Sequence, residues 1–352
     1  MHDLTRPPAL LPGDTIAVCT PSFPAHVRFR DKFRHGLSEL ERAGFTVKEG
    51  DLTAAGADEG HRAASPEARA AEINALFADE SVRGIMTTIG GEVSSSLVPS
   101  LDFDMIRANP KVFCGYSDIT SLHLAFARHA GLSTFYGPAV APAFGEWPAV
   151  PEETLGSFMD ATVRHLQGER TFVRPTRWSN HFRDAMTDAW REVPRRWQDE
   201  EGWSVVRPGI AEGPAVVGSL STMLANAGTP VWPELDGAIL FIEEMATSPG
   251  KVERTFRQLA AMGVFQQIVG LVWGRIESWV GGDAAMTPID LLLESIRGAL
   301  GGEPPFPIVT ESDIAHTVPM LTLAQGTPVR LDASGARAEL TVLAPMVVAR
   351  GA

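Results

Sequence analysis

Short apolar runs alternate with amphipathic stretches through the first 165 residues, and that alternation predicts strands followed by helices. Thr15 to Cys19 reads as a buried strand, entered through the turn Pro12-Gly13-Asp14. Val27, Phe29, Phe33, Leu37 and Leu40 recur at helical spacing, and Gly44 closes the helix they predict. Ser65-Pro66-Glu67 opens another helix, because serine caps it and proline fits its first position. Ile73, Leu76 and Phe77 carry that helix toward a strand over Gly84 to Thr88. Val112 to Tyr116 predicts a further strand and Asp118 to His129 a helix. Strand–helix alternation of this kind implies a parallel sheet covered on both faces.

From 166 to 207 the pattern breaks. The stretch has no clean period, yet it holds Trp178, Trp190, Trp197 and Trp203 and many arginines. Long irregular connections are commonly functional or disordered, and four tryptophans argue against disorder. From 208 to 352 the alternation resumes. Ala238 to Ile242 and Ile268 to Trp273 read as strands, with helices over Val252 to Met262 and after Pro288. The tail, Met320 to Leu323, Pro328 to Leu331 and Ala338 to Leu343, alternates as antiparallel hairpins do. The expected organisation is an N-terminal α/β domain (1–165), a Trp/Arg-rich connecting and substrate loop (166–207) and a β-rich C-terminal α/β domain (208–352).

Length agrees with that division, since 352 residues exceed what one core usually supports. A net charge of −13 argues against nucleic acid or an anionic membrane as partner. No apolar run approaches the roughly 18 residues of a membrane span. The first residues lack a basic stretch followed by an apolar core, so the expected compartment is the cytoplasm. Cys19 and Cys114 sit in apolar runs and read as buried free thiols.

Four places carry candidate chemistry. Gly115-Tyr116-Ser117-Asp118-Ile119-Thr120 runs an apolar strand into a serine and then a helix. Such a turn exposes a hydroxyl at a strand's carboxyl end and sets helix-start amides beside it to receive an oxyanion. It resembles a nucleophile elbow, with Ile119 where a second glycine is usual; Ser117 equally reads as a helix cap. Gly90-Gly91-Glu92 lets backbone approach a ligand closely, or makes a tight turn. Glu243-Glu244, at the exit of an apolar strand, can orient a histidine or lie solvated in a loop. Of nine histidines, His316 in a late loop completes the order nucleophile, acid, base; spacing alone does not select it. There is no H-E-x-x-H, no paired-cysteine ligand set and no histidine-rich cluster, so no metal or cofactor is expected.

Together with Leu11-Pro-Gly-Asp-Thr-Ile-Ala-Val, Pro110-Lys-Val-Phe-Cys-Gly-Tyr-Ser-Asp-Ile-Thr-Ser-Leu-His123, Gly218-Ser-Leu-Ser and Pro319-Met-Leu-Thr-Leu-Ala-Gln-Gly, these pieces resemble the LD-carboxypeptidase family of serine peptidases, in its microcin C self-immunity (MccF-type) branch. The resemblance implies a triad of Ser117, Glu243 and His316, an oxyanion hole of the Gly91 and Asp118 amides, an active site between the two domains, and a homodimer. Two positions depart from it: Glu244, where aspartate is common, and Gly218-Ser219-Leu220, where Gly-Gly-Asn is common. It further implies hydrolysis of an amide-type bond beside a peptidyl carboxyl group, on a small peptide or peptidyl-nucleotide substrate of the microcin C type. The alternative within the family is a muropeptide LD-carboxypeptidase releasing terminal D-alanine; the alternative outside it is a non-catalytic two-domain binding protein. Gly90, Glu92, Ser219, Trp190 and Trp197 are the expected substrate contacts, the indoles as stacking surfaces for a nucleobase or else as packing between domains.

Overall fold

The computed structural model describes residues 4–280 and 285–350. Two sheets organise the chain; one apolar cluster draws on both, a second gathers mainly around the second sheet and a third around the first. In the first, β1 (Thr15–Cys19), β2 (Thr46–Glu49), β3 (Val82–Thr87), β4 (Val112–Gly115) and β5 (Phe135–Tyr136) run parallel in the order β5-β4-β3-β1-β2. β1 and β4 are buried almost throughout, as strands covered on both faces must be. The helix Pro66–Ala78 starts as the sequence implies: Ser65 Oγ accepts from the Ala68 amide and Pro66 takes the first turn.

The second sheet is mixed. Its strands are β6 (Arg170–Thr171), β7 (Ser204–Arg207), β8 (Ile210–Ser219), β9 (Ile239–Glu243), β10 (Gly270–Gly274), β11 (Ile308–Ser312), β13 (Pro328–Asp332) and β14 (Glu339–Val342). They lie in the order β6-β14-β13-β8-β9-β10-β11-β7, with β8 to β11 parallel and the outer strands antiparallel. The remaining late strand, β12 (Leu323–Ala324), leaves this sheet and pairs antiparallel with β5. The tail is therefore one hairpin, β13–β14, plus a strand returned to the first sheet. Pairing is set by the exposed edge of β5, which local alternation does not reveal.

Two helices differ from their sequence pattern. The predicted helix over Val27 to Leu40 breaks at Phe29 (φ −118°, ψ 41°) into Ala25–Arg28 and Arg30–Arg42. The break turns the Phe29 ring against Phe23, with centroids 5.5 Å apart. The helix after Ser117 begins as a tight turn, Ser117–Ile119, continues as Thr120–Ala125, and ends in a wide turn closed by Gly131 at φ +64°. The 166–207 segment gives one strand to each edge of the second sheet and folds a small ladder, Arg177–Trp178 with Gln198–Asp199. Trp203 is buried and donates to Asp313 Oδ2 at 2.9 Å, fastening the segment to the second domain. Arg183 and Arg195 both donate to the buried Glu146 carboxylate, fastening it to the first. Among the described residues no helix is long and apolar enough to cross a membrane. Both cysteines are free and buried.

Candidate active site

The strand β4 delivers its last residues to the carboxyl edge of the first sheet, and Ser117 follows in the left-handed region at φ +64°. L residues with a side chain rarely sit there, and surrounding structure must enforce it. The brace is visible. The Ser117 amide donates to the Tyr136 hydroxyl at 3.1 Å, and the Ser117 carbonyl accepts from Thr120 Oγ1 at 2.6 Å. Beneath, His123 bonds the Gly115 carbonyl at 2.9 Å and Thr134 Oγ1 at 2.8 Å; burial lowers its pKa to about 4, so it stays neutral. The elbow is a constrained turn, and the residue at its cap position is Tyr116 rather than Ser117.

Gly90 packs directly against it. A Cβ there would lie 3.0 Å from Ser117 Cβ, 3.1 Å from the Asp118 nitrogen and 3.2 Å from Ser117 Oγ. The missing side chain leaves open the space over hydroxyl and amide, where a reacting carbonyl oxygen has to sit. Gly91 has φ +156°, and a Cβ on it would meet Ser22 Oγ at 2.3 Å, so only glycine fits. The Asp118 carboxylate points away, accepting from the Val93 and Ser94 amides at 3.1 and 2.9 Å and holding the glycine-pair loop to the elbow.

The second sheet supplies the other half. Glu243 ends β9 and is 1 % exposed. One of its oxygens accepts from Tyr136 and the other from His316 Nδ1, which leaves His316 Nε2 as the nitrogen able to take a proton. Burial works to lower the His316 pKa; the charge and hydrogen bond of Glu243, with Glu277 and Glu244, outweigh it, and the net shift is upward. Tyr116 packs on the imidazole with ring centroids 4.8 Å apart. Burial, then the Glu243 charge, push the Tyr136 phenol well up, so it stays a donor. Ser117 and His316 line one cleft of about 550 Å³, to which both domains contribute. No described group of three or more histidine, cysteine, aspartate or glutamate side chains could hold a metal.

The expected substrate contacts divide. Gly90, Gly91 and Glu92 line the cleft. Ser219, Trp190 and Trp197 are not among its lining residues. Ser219 is buried, and its amide donates to Thr120 Oγ1 at 3.0 Å, so it braces the elbow from the second domain. Gly218 makes that approach feasible, since a Cβ would come within 2.6 Å of Thr120 Cγ2. Trp190 is 5 % exposed and packs edge-on against Trp147. Trp197 is covered by the Arg177 guanidinium 4.2 Å from its ring centre. The connecting segment does reach the cleft, through Phe182 (72 % exposed), Arg183, Met186 and Arg195. Glu244 turns away, accepting from the Ser221 amide and hydroxyl and pairing with Lys251 at 3.1 Å. Tyr136, Tyr116 and Glu277 were not anticipated; Tyr136, at the exit of an apolar strand, carried the same signal as Glu243.

Profiles of the LD-carboxypeptidase N-terminal and C-terminal domains match residues 16–137 and 212–331. The chain is 35 % identical to the microcin C7 self-immunity protein MccF of Escherichia coli over 336 residues, 94 % of this chain and 94 % of that protein. It is 34 % identical to a Vibrio cholerae protein named as a carboxypeptidase, covering 92 % and 94 % respectively. The solved structure of MccF in complex with glutamyl sulfamoyl guanosine superimposes with a TM-score of 0.90 at 32 % identity, over 97 % of this chain and 99 % of that one. A second solved complex of MccF holds aspartyl sulfamoyl adenosine, with the same score and coverage.

Proposed function

The chain belongs to the LD-carboxypeptidase family, and from that premise we propose that it is a serine peptidase whose Ser117, Glu243 and His316 hydrolyse the amide-type bond of aminoacyl- or peptidyl-nucleotide compounds. The observation that carries this reading is the Glu243 carboxylate, held between Tyr136 and His316 Nδ1 at a cleft that Ser117 also lines. In the reaction, His316 Nε2 takes the Ser117 proton as Oγ attacks the carbonyl carbon. The Asp118 and Gly91 amides receive the oxyanion, and Glu243 stabilises the imidazolium. His316 then protonates the leaving nitrogen, and water resolves the acyl-enzyme by the same steps in reverse.

Two observations support the nucleotide-bearing substrate. The similar MccF is solved with aminoacyl sulfamoyl nucleosides. Here the cleft mouth carries Phe182, an exposed ring suited to stacking on a base. The family resemblance also supports a cytoplasmic homodimer. Turnover of aspartyl sulfamoyl adenosine and of a murein tetrapeptide, measured side by side, tests the reading. Faster cleavage of the first is expected. Cleavage of the tetrapeptide alone overturns the substrate choice, and a folded enzyme that cleaves neither overturns the peptidase reading.

A further inference from the structure

Lys32 lines the cleft from the helix Arg30–Arg42, and it is only 8 % exposed. Its neighbours on that helix, Arg30 and Arg34, are solvent-facing, as cations ordinarily are. Lys32 instead lies on the face that packs against residues 140–145, so closely that a Cβ on Gly145 would touch its stem at 2.9 Å. Among the described residues its ammonium has no hydrogen-bond or ion-pair partner. The charges it faces are Glu146, Arg195 and Arg183. Both arginines are already committed to Glu146, one to each carboxylate oxygen. Across the cleft, Glu277 faces Arg195 and His316. Glu92 and Asp184 line the same cleft, so its carboxylates outnumber Lys32, Arg183 and Arg195, and of these three cations Lys32 is the one whose charged end is uncommitted.

Its stem is packed away, while its ammonium, whose counter-charge Glu146 is already shared by two arginines, opens onto the cleft. We propose that Lys32 is a specificity-determining residue, the recognition point for a carboxylate of the substrate, with the Arg183–Glu146–Arg195 cluster holding that wall rigid. The proposal rests on the peptidase reading above. An uncommitted ammonium at the cleft wall suits one negative group, and lysine as a compact cation suits a carboxylate presented end-on. Desolvation is the main influence lowering the Lys32 pKa, with Glu146 opposing it. In a nucleotide-linked substrate the carboxylate is the side chain of an acidic aminoacyl group; in a muropeptide it is the terminal carboxylate. The chemistry is shared, and the test separates the sources.

The test compares wild type, Lys32→Met and Lys32→Arg on two substrate pairs. One pair is aspartyl and asparaginyl sulfamoyl adenosine; the other is a murein tetrapeptide and its C-terminal amide. Lys32→Met is expected to lose about 10- to 100-fold in kcat/KM, mainly through KM, on the carboxylate-bearing member of one pair only. The amide member of that pair should be unaffected, and Lys32→Arg should recover part of the loss. Which pair responds identifies the source. Lys32→Met should also raise the melting temperature, whereas a merely structural lysine would lower it. Carboxylate-to-amide ratios unchanged from wild type in both pairs, or equal losses on both members, overturn the proposal while leaving the peptidase reading intact. If wild type cleaves none of the four compounds, the peptidase reading itself fails.

Discussion

The Tyr136 hydroxyl, at the end of a strand in the first sheet, donates to the Glu243 carboxylate at the end of a strand in the second, and the same oxygen accepts from the Ser117 amide. One phenol thus ties the elbow of one domain to the acid of the other. Tyr136→Phe removes both bonds and leaves a part-buried amide and a carboxylate oxygen unsatisfied, at a cost of about 1–3 kcal/mol. A kcat lowered about 10- to 100-fold with KM little changed is expected, read by steady-state kinetics beside a melting curve.

Ser117 sits at φ +64°, so its two smallest replacements should separate chemistry from strain. Both Ser117→Ala and Ser117→Gly should lose at least about 10⁴-fold in kcat. Glycine accepts the left-handed region and alanine does not, so Ser117→Gly should be the more stable of the two by about 1 kcal/mol. Chemical denaturation of both variants measures the difference. Equal stabilities would mean the turn is not strained.

Gly90→Ala introduces a methyl 3.2 Å from Ser117 Oγ and 3.1 Å from the Asp118 nitrogen. The expected outcome is a loss of about 100-fold or more in kcat, because the methyl occupies the proposed oxyanion position. The melting temperature should fall as well, since the methyl crowds Ser117 Cβ at 3.0 Å and a backbone nitrogen of the constrained elbow. An active Gly90→Ala enzyme would move the oxyanion site elsewhere.

The raised His316 pKa gives a signed pH prediction. In its proposed role of general base the imidazole must be neutral, so kcat/KM should fall as pH drops through a value above the ordinary 6.5 or so. Glu277→Gln removes one of the negative charges that raise it, and the acid limb should move to lower pH. Stability runs the other way. A group whose pKa is raised by folding contributes fully below its unfolded value, and that contribution is lost as pH rises through the folded one. A pH–rate profile paired with melting curves over the same range checks both signs.

Phe182, rather than Trp190 or Trp197, lines the cleft, and the nucleobase prediction moves with it. Phe182→Ala should raise KM for aspartyl sulfamoyl adenosine about tenfold, as expected for one lost stack, and leave peptide KM unchanged. Trp190→Ala should instead destabilise the fold by about 3 kcal/mol and leave KM alone, because it removes a buried indole.

Much of this was legible in residue order. The strands β1, β4 and β9 and the helix Pro66–Ala78 follow from apolar runs and one capping serine, because those signals are local. Ser117, Glu243 and His316 were named from strand exits, a late loop and family resemblance. What escaped depended on distant partners. The return of Leu323–Ala324 to the first sheet needs the free edge of β5, and the burial of Trp190 needs Trp147. Lys32 looked like any charge on an amphipathic helix, since nothing local says that its face meets residues 140–145.

Treatment of the folded enzyme with a fluorophosphonate, followed by intact-mass measurement and peptide mapping, tests the central claim most directly. One adduct per chain, on Ser117 and absent from Ser117→Ala, is the expected result, with labelling slowed at least about 100-fold in His316→Ala. A folded wild-type protein that takes no label, or takes it at another residue, would contradict a nucleophilic Ser117.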